Sequence, residues 1–295
     1  MKKLCTSLGV LGLAAAGLIL PAGAASAASA RPAAGHAHMA LTTPPAGYTV
    51  IETGPFTAPA GAQTPGIATC PGTKQPVGGG VLPYDNNTSV DINDSWPSGH
   101  SWVVDVNNNE ATATKFDMWI TCMAARAGYK VVSAPGYANA GATDYASVSC
   151  PSKTVVVGGG AIAGDRNLGV AINSSVGNRL GPGQTEWTAA MTNTSSSGDA
   201  FSVLAVCRPK PLGYAIVDGP ELSLAPGAIN EPQAICPGNS LPLSGGGFTT
   251  YQQTDSGLAF NGTLPNELNH LWATVFENGG SITRSVAASV ICAGT

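Results

Sequence analysis

Three short apolar rows recur along the chain with a period of two. Phe116, Met118, Ile120 and Cys122 form the first row, Phe201, Val203, Ala205 and Cys207 the second, and Val286, Ala288, Val290 and Cys292 the third. Alternation of this kind predicts half-buried β-strands whose cysteines point into a core. A second set precedes them: Trp102, Val104, Val106; Trp187, Ala189, Met191; Trp272, Thr274, Phe276. Between the paired rows lie NNNEATAT, NTSSSGDA and ENGGSITR, turn-rich stretches that predict hairpins. Helical periodicity is absent beyond residue 30, so the fold class predicted is all-β.

These rows belong to one unit written three times. The units open at Gly47-Tyr48, Gly128-Tyr129 and Gly213-Tyr214, then reach Cys70-Pro71, Cys150-Pro151 and Cys236-Pro237. Glycine triplets follow at 78–80, 158–160 and 245–247, then an Asn-x-Ser/Thr beginning at Asn93, Asn173 and Asn261. Each tryptophan precedes its closing cysteine by 20 residues. Repeats 47–127, 128–212 and 213–295 are therefore expected. A self-contained repeat pairs its own first and last cysteines, giving Cys70–Cys122, Cys150–Cys207 and Cys236–Cys292. Closing such loops stabilises each unit by roughly 4 kcal/mol in the chain-entropy picture. The connections MAARAG and RPKPLG are short. Short ties favour packing around a pseudo-threefold axis; the alternative is three consecutive small β-sandwich domains. Glycine triplets then mark a corner or a close approach of strands. A phosphate cradle would open a helix, and none is predicted here.

The order Cys-Pro, Gly-Gly-Gly, Asn-x-Ser, Trp, Cys resembles the cysteine-paired β-repeats of actinobacterial exported proteins. In its three-unit plan the chain from Tyr48 to Thr295 is similar, more distantly, to the vitelline membrane outer layer protein I family. That resemblance implies a β-prism of three Greek-key sheets around a pseudo-threefold axis, with a carbohydrate-binding role. It rests on architecture and cysteine pairing, and the units here are longer.

The first thirty residues change the picture of where the protein works. Lys2 and Lys3, the apolar run Leu8 to Leu20 and the small residues at 25–30 read as a secretory signal peptide, 1–30. Residues 31–46 read as a flexible leader. Six of the seven cysteines follow the signal, an even number suited to an oxidising compartment. No later segment is apolar enough to predict a transmembrane helix. The formal net charge is −4 and only 10% of residues are charged. A nucleic-acid partner, which needs a basic face, is not expected.

Candidate chemistry is sparse. The chain has no Gly-x-Ser-x-Gly elbow, and TDSGLAF has no serine counterpart in the other repeats. His100 and His270 both stand two residues before a tryptophan, which points to a shared turn more than to catalysis. No metal or other cofactor is expected. Asp85, Asp91, Asp94, Asp105 and Asp117 crowd the first repeat without consistent counterparts. They are the basis for one alternative, a secreted hydrolase; a structural or protease-inhibitor protein is another. The leading expectation is a secreted non-enzymatic protein that binds a carbohydrate or another cell-surface or extracellular polymer, with a secreted protein as the other candidate partner. Its candidate ligand residues are Tyr84, Asp85, Asn86, Trp119, Tyr251 and Gln252. Tyr84 and Tyr251 each stand four residues after a glycine triplet, and Trp119 is out of phase with its core row. The Asn-x-Ser/Thr triplets are expected to cap turns with their side chains.

Overall fold

A computed structural model describes residues 43–85, 87–164, 166–249 and 257–294. The expected signal peptide, most of the leader, Asn86, Tyr251 and Gln252 lie outside these residues. The first repeat forms β1 (Thr49–Ala58), β2 (Ala62–Thr69), β3 (Gln75–Pro83), β4 (Val90–Ser98), β5 (Ser101–Asn108) and β6 (Thr114–Met123). The second forms β7 (Lys130–Ala138), β8 (Ala142–Ser149), β9 (Val155–Ala163), β10 (Val170–Gly181), β11 (Gln184–Asn193) and β12 (Asp199–Arg208). In the third, prolines interrupt the two opening strands, giving β13 (Ala215–Asp218), β14 (Leu222–Leu224), β15 (Ile229–Asn230) and β16 (Gln233–Ile235). It closes with β17 (Leu241–Thr249), β18 (Leu258–Asn266), β19 (Leu271–Asn278) and β20 (Arg284–Ala293), plus one 3₁₀ turn at Glu267–Asn269.

No repeat owns a sheet. One sheet runs β1-β6-β3-β18-β19, with β15 and β16 on β19. The second runs β13-β20-β17-β10-β11-β8, with β14 also on β20, and the third β2-β5-β4-β9-β12-β7. Each sheet is half one repeat and half another: first with third, third with second, second with first. The cycle closes, as a β-prism requires. Three consecutive sandwiches would each keep their own sheets. Within each repeat one disulfide ties the two half-sheets together: Cys70–Cys122, Cys150–Cys207 and Cys236–Cys292.

The glycine triplets sit where the three repeats meet. A bulge at Val77, Val157 and Leu243 shifts the register of each glycine strand. Gly78, Gly158 and Ser244 therefore correspond, and the third triplet is displaced by one residue from its expected alignment. A Cβ at Gly78 would strike the Leu243 carbonyl, and one at Gly158 the Val77 carbonyl. Ser244, 1% exposed, carries the one side chain of the three. The next position, Gly79, Gly159 and Gly245, lies against Trp102, Trp187 and Trp272 of the same repeat. The third, Gly80, Gly160 and Gly246, lies on the backbone carbonyls of Thr263, Ser95 and Ser175 in the neighbouring repeat. Beside these contacts the sheets cross from repeat to repeat at single register pairs: Val81 with Thr263, Ala161 with Ser95, Gly247 with Ser175.

The Asn-x-Ser/Thr triplets have a different role from the one expected. Asn93, Asn173 and Asn261 each occupy a β-bulge and are 0–4% exposed, and Asn93 and Asn261 hold turns of a neighbouring repeat where local caps were expected. A bulge re-aims the side chain it carries. Asn93 Nδ2 donates to the carbonyls of Asn167 and Val170 in the second repeat. Asn261 Nδ2 donates to those of Asn87 and Val90 in the first, both at 2.8 Å. The Ser/Thr of each triplet accepts the indole N–H of the buried tryptophan: Ser95 from Trp102 and Ser175 from Trp187 at 2.9 Å, Thr263 from Trp272 at 2.6 Å. The opening tyrosines close the same cycle. Tyr48 donates to Pro242 O, Tyr129 to Pro76 O and Tyr214 to Val156 O, at 2.7–2.9 Å. Burial pushes all three phenols up, so they stay protonated donors.

A Cβ at Gly160 meets backbone, which cannot rotate aside as a side chain can. Gly160→Ala is expected to destabilise the fold by about 1–3 kcal/mol. Gly181→Ala meets open space and should stay within about 0.5 kcal/mol of the parent. Chemical denaturation of the two variants checks this.

Candidate functional site

The outer faces of the three sheets are built from equivalent strands but differ in shape. On the sheet shared by the second and third repeats, β10 and β11 run to 12 and 10 residues. Their counterparts, β4 with β5 and β18 with β19, run to 9 and 8. The longer hairpin turns at Gly181-Pro182-Gly183. From its end Arg179 Nη2 donates to Ile216 O at 2.7 Å, on β13 and three strands away. The outer face of this sheet holds a groove of about 570 Å³.

The groove is lined from both sheet edges: Thr143, Tyr145 and Ser147 on β8, and Asp218 on β13. Asn178, Glu186 and Thr188 stand between them, with Phe248 from β17. Thr188 Oγ1 accepts from Asn178 Nδ2 at 2.8 Å and pairs with Ser147 Oγ at 2.7 Å. It lies 3.4 Å from Glu186 Oε1, to which its hydroxyl donates. Thr143 and Thr192 share a second hydroxyl pair at 2.8 Å. Tyr145 is 64% exposed, so its ring is open to a ligand. Asp144, Glu186 and Asp218 line the groove, and among the described residues no lysine or arginine does. Such a surface offers hydroxyl, amide and carboxylate partners beside ring faces, and disfavours anions.

The expected ligand residues fall elsewhere. Tyr84 is 53% exposed and its phenol donates to Asp117 Oδ2 at 2.8 Å. That bond, with the neighbouring charge, raises the phenol above its ordinary range. Asp117 and Trp119 alternate with the buried Phe116, Met118 and Ile120 on β6. Tyr84, Asp117 and a half-buried Trp119 thus share the outer face of the sheet made by the first and third repeats, with Glu52 opposite Trp119. Asp85 is exposed beside them. Pro83 and Thr249 stand at equivalent register positions, opposite Phe116 and Val286. The groove was missed because its signal is a spacing: Asn173 to Trp187 spans 14 residues, against 9 and 11 in the other repeats.

The aspartates of the first repeat separate into distinct environments. Asp94 and Asp105 face each other in register across β4 and β5, 5% and 6% exposed and within hydrogen-bonding reach. Burial raises both carboxyls, Asp94 up to about 8, although Ala163 N donates to Asp94. Two such groups share a proton. Glycoside hydrolysis places its carboxyls about 5–9.5 Å apart across an open cleft, which this sealed pair does not match. Asp91 rises to about 7 through burial of its carboxyl, opposed by a 2.9 Å bond from Asn107 Nδ2. His100 and His270 are held by the Lys74 and Ser240 carbonyls at 2.8 and 2.9 Å, as a shared turn requires. Asn108, Asn193 and Asn278, six residues after each tryptophan and fully buried, hold the hairpins with two amide bonds apiece and were not singled out from the sequence.

Among the described residues, no group of three His, Cys, Asp or Glu side chains could hold a metal ion, and no helix is long and apolar enough to cross a membrane. Compared with known proteins, the chain matches no family model and no curated protein.

The raised carboxyls fix the sign of a pH dependence. Asp91 and Asp94 hold protons more tightly folded than unfolded, where the ordinary value is 3.8. Their contribution is fully present below about pH 4 and is lost as pH rises through about 7 and 8. Asp94→Asn is expected to raise the melting temperature at pH 8 and leave it nearly unchanged at pH 4. Thermal melts of parent and variant across pH 4–9 check this.

Proposed function

We propose that this is a secreted, non-enzymatic binding protein that holds a carbohydrate in the groove of the second and third repeats. The observation that carries this reading is the groove itself. Its volume lies within the range of about 300–1,000 Å³ common for ligand sites. Sugars pair their hydroxyls with amides and carboxylates and lay their apolar faces on rings, and the Ser147–Thr188–Asn178–Glu186 row beside Tyr145 and Phe248 offers both. The absence of cations among the described lining residues favours neutral or amino sugars over uronic or sulfated ones. Three disulfides and the signal-like first thirty residues support export. The likeness to the vitelline membrane outer layer protein I plan points the same way.

A second reading has one observation behind it. The exposed Tyr84 with the half-buried Asp117 and Trp119 forms an outward-facing aromatic-carboxylate patch on another face, which would suit a cell-surface polymer laid flat. The two sites separate in a single experiment. Protein lacking residues 1–30 is expected to be retained on chitin or peptidoglycan. Retention should fall at least tenfold in Tyr145→Ala and Asn178→Ala, and stay near parent in Tyr84→Ala. Loss confined to Tyr84→Ala would move the site to the second face, and retention on no polysaccharide would overturn carbohydrate binding.

A further inference from the structure

Arg208 is out of place. It follows the closing cysteine of the second repeat, where the first repeat has Met123 and the third Ala293. All three are buried, Arg208 to 4% exposure. Its Nη1 donates to Met123 Sδ at 3.0 Å, and its Nε has no partner. The other charge pressing on it is Arg126, a second cation. None of the described residues brings it a carboxylate. A buried guanidinium left this way is strongly unfavourable unless an anion completes it. Packing does not demand the charge, since methionine fills the equivalent place one repeat earlier.

Arg208 and Arg126 both line a cavity of about 200 Å³ at the end of the prism. There the segment before β1 meets the two connections between repeats. Thr43 lines the cavity as well, but Pro45, Met123 and Leu212 give it apolar walls. The cation end and the greasy walls together describe an amphiphilic ligand. We propose that this cavity binds a small organic carboxylate, whose two oxygens take the fork of Arg208 while Arg126 adds a second positive charge. Guanidinium and carboxylate match in planar, bidentate geometry, which a lysine or a single hydroxyl would not provide. At about 30 Å³ per displaced water, the cavity admits a ligand equivalent to six or seven waters. A four- to six-carbon acid fits that space, whether free or as the terminal carboxylate of a peptide.

The test uses the full chain after residue 30, labelled with ¹⁵N. Hexanoate is titrated while the arginine Nε signals and the melting temperature are followed, with hexanamide as the neutral isostere and acetyl-Gly-Leu as the peptide acid. The expected result is a saturable shift of the Arg208 Nε signal by hexanoate and none by hexanamide. Affinity should weaken at least tenfold in Arg208→Met and severalfold in Arg126→Met. Arg208→Met alone should melt higher than the unliganded parent. Binding of acetyl-Gly-Leu in addition points to a peptide terminus, and hexanoate alone to a free acid. No saturable shift with either acid, equal binding of hexanamide, or unchanged affinity in both variants overturns the proposal. The parent titration and Arg126→Met keep the test decisive should Arg208→Met fail to fold.

Discussion

Three glycine strands converge on one axis, and the space left there accommodates a single serine hydroxymethyl. Gly78 and Gly158 have no side chain because a Cβ at either would enter the carbonyl of the next repeat, and Ser244 supplies the one that fits. The rest of the architecture follows from that crowding. Strands that close can splay outward only into separate sheets, so each repeat divides between two of them. The second glycine admits the tryptophan ring that fills the centre of its own repeat. The third admits the neighbouring strand's backbone. A run of glycines that looks unsuited to a strand is thus one vacancy each for the axis, the core and the seam.

One apolar core runs through all three repeats, and the buried polar groups at the seams need partners. A tyrosine hydroxyl to a glycine-strand carbonyl and a tryptophan N–H to a Ser/Thr recur in all three repeats, and the bulge asparagines Asn93 and Asn261 reach the neighbour's loop. Because these contacts face inward or lie on the seams, the outer faces are free to diverge. The features with chemical promise all break the threefold pattern. The long β10–β11 hairpin accompanies a groove on one outer face, and Arg208 puts a charge where its equivalents are apolar.

Much of the fold was legible because the constraint repeats. Period-two rows located the core strands, and each row named there is buried: Phe116 to Cys122, Trp187 to Met191, Trp272 to Phe276. The disulfides followed from treating each repeat as self-contained. The interlocking of repeats was not legible residue by residue, since nothing in Tyr48 tells which carbonyl it reaches across 194 positions. Asn93 and Asn261 looked like surface polar groups because a bulge, invisible as a period, turns them inward. The ligand residues were sought in exposed aromatics at matching positions, Tyr84 and Trp119, whereas the groove arises from length. Extra residues between Asn173 and Trp187 were countable, but which face of the longer hairpin a groove would open on depends on neighbouring strands far away in sequence.

If the axis organises the molecule, no repeat can open while its neighbours stay closed. Native-state hydrogen exchange at the seams measures this directly. The slowly exchanging amides of β3, β9 and β17 should share one opening free energy, equal to that of global unfolding and common to all three repeats. Three separate values, one for each repeat, with a repeat opening well below the global free energy, would contradict a closed and interlocked prism.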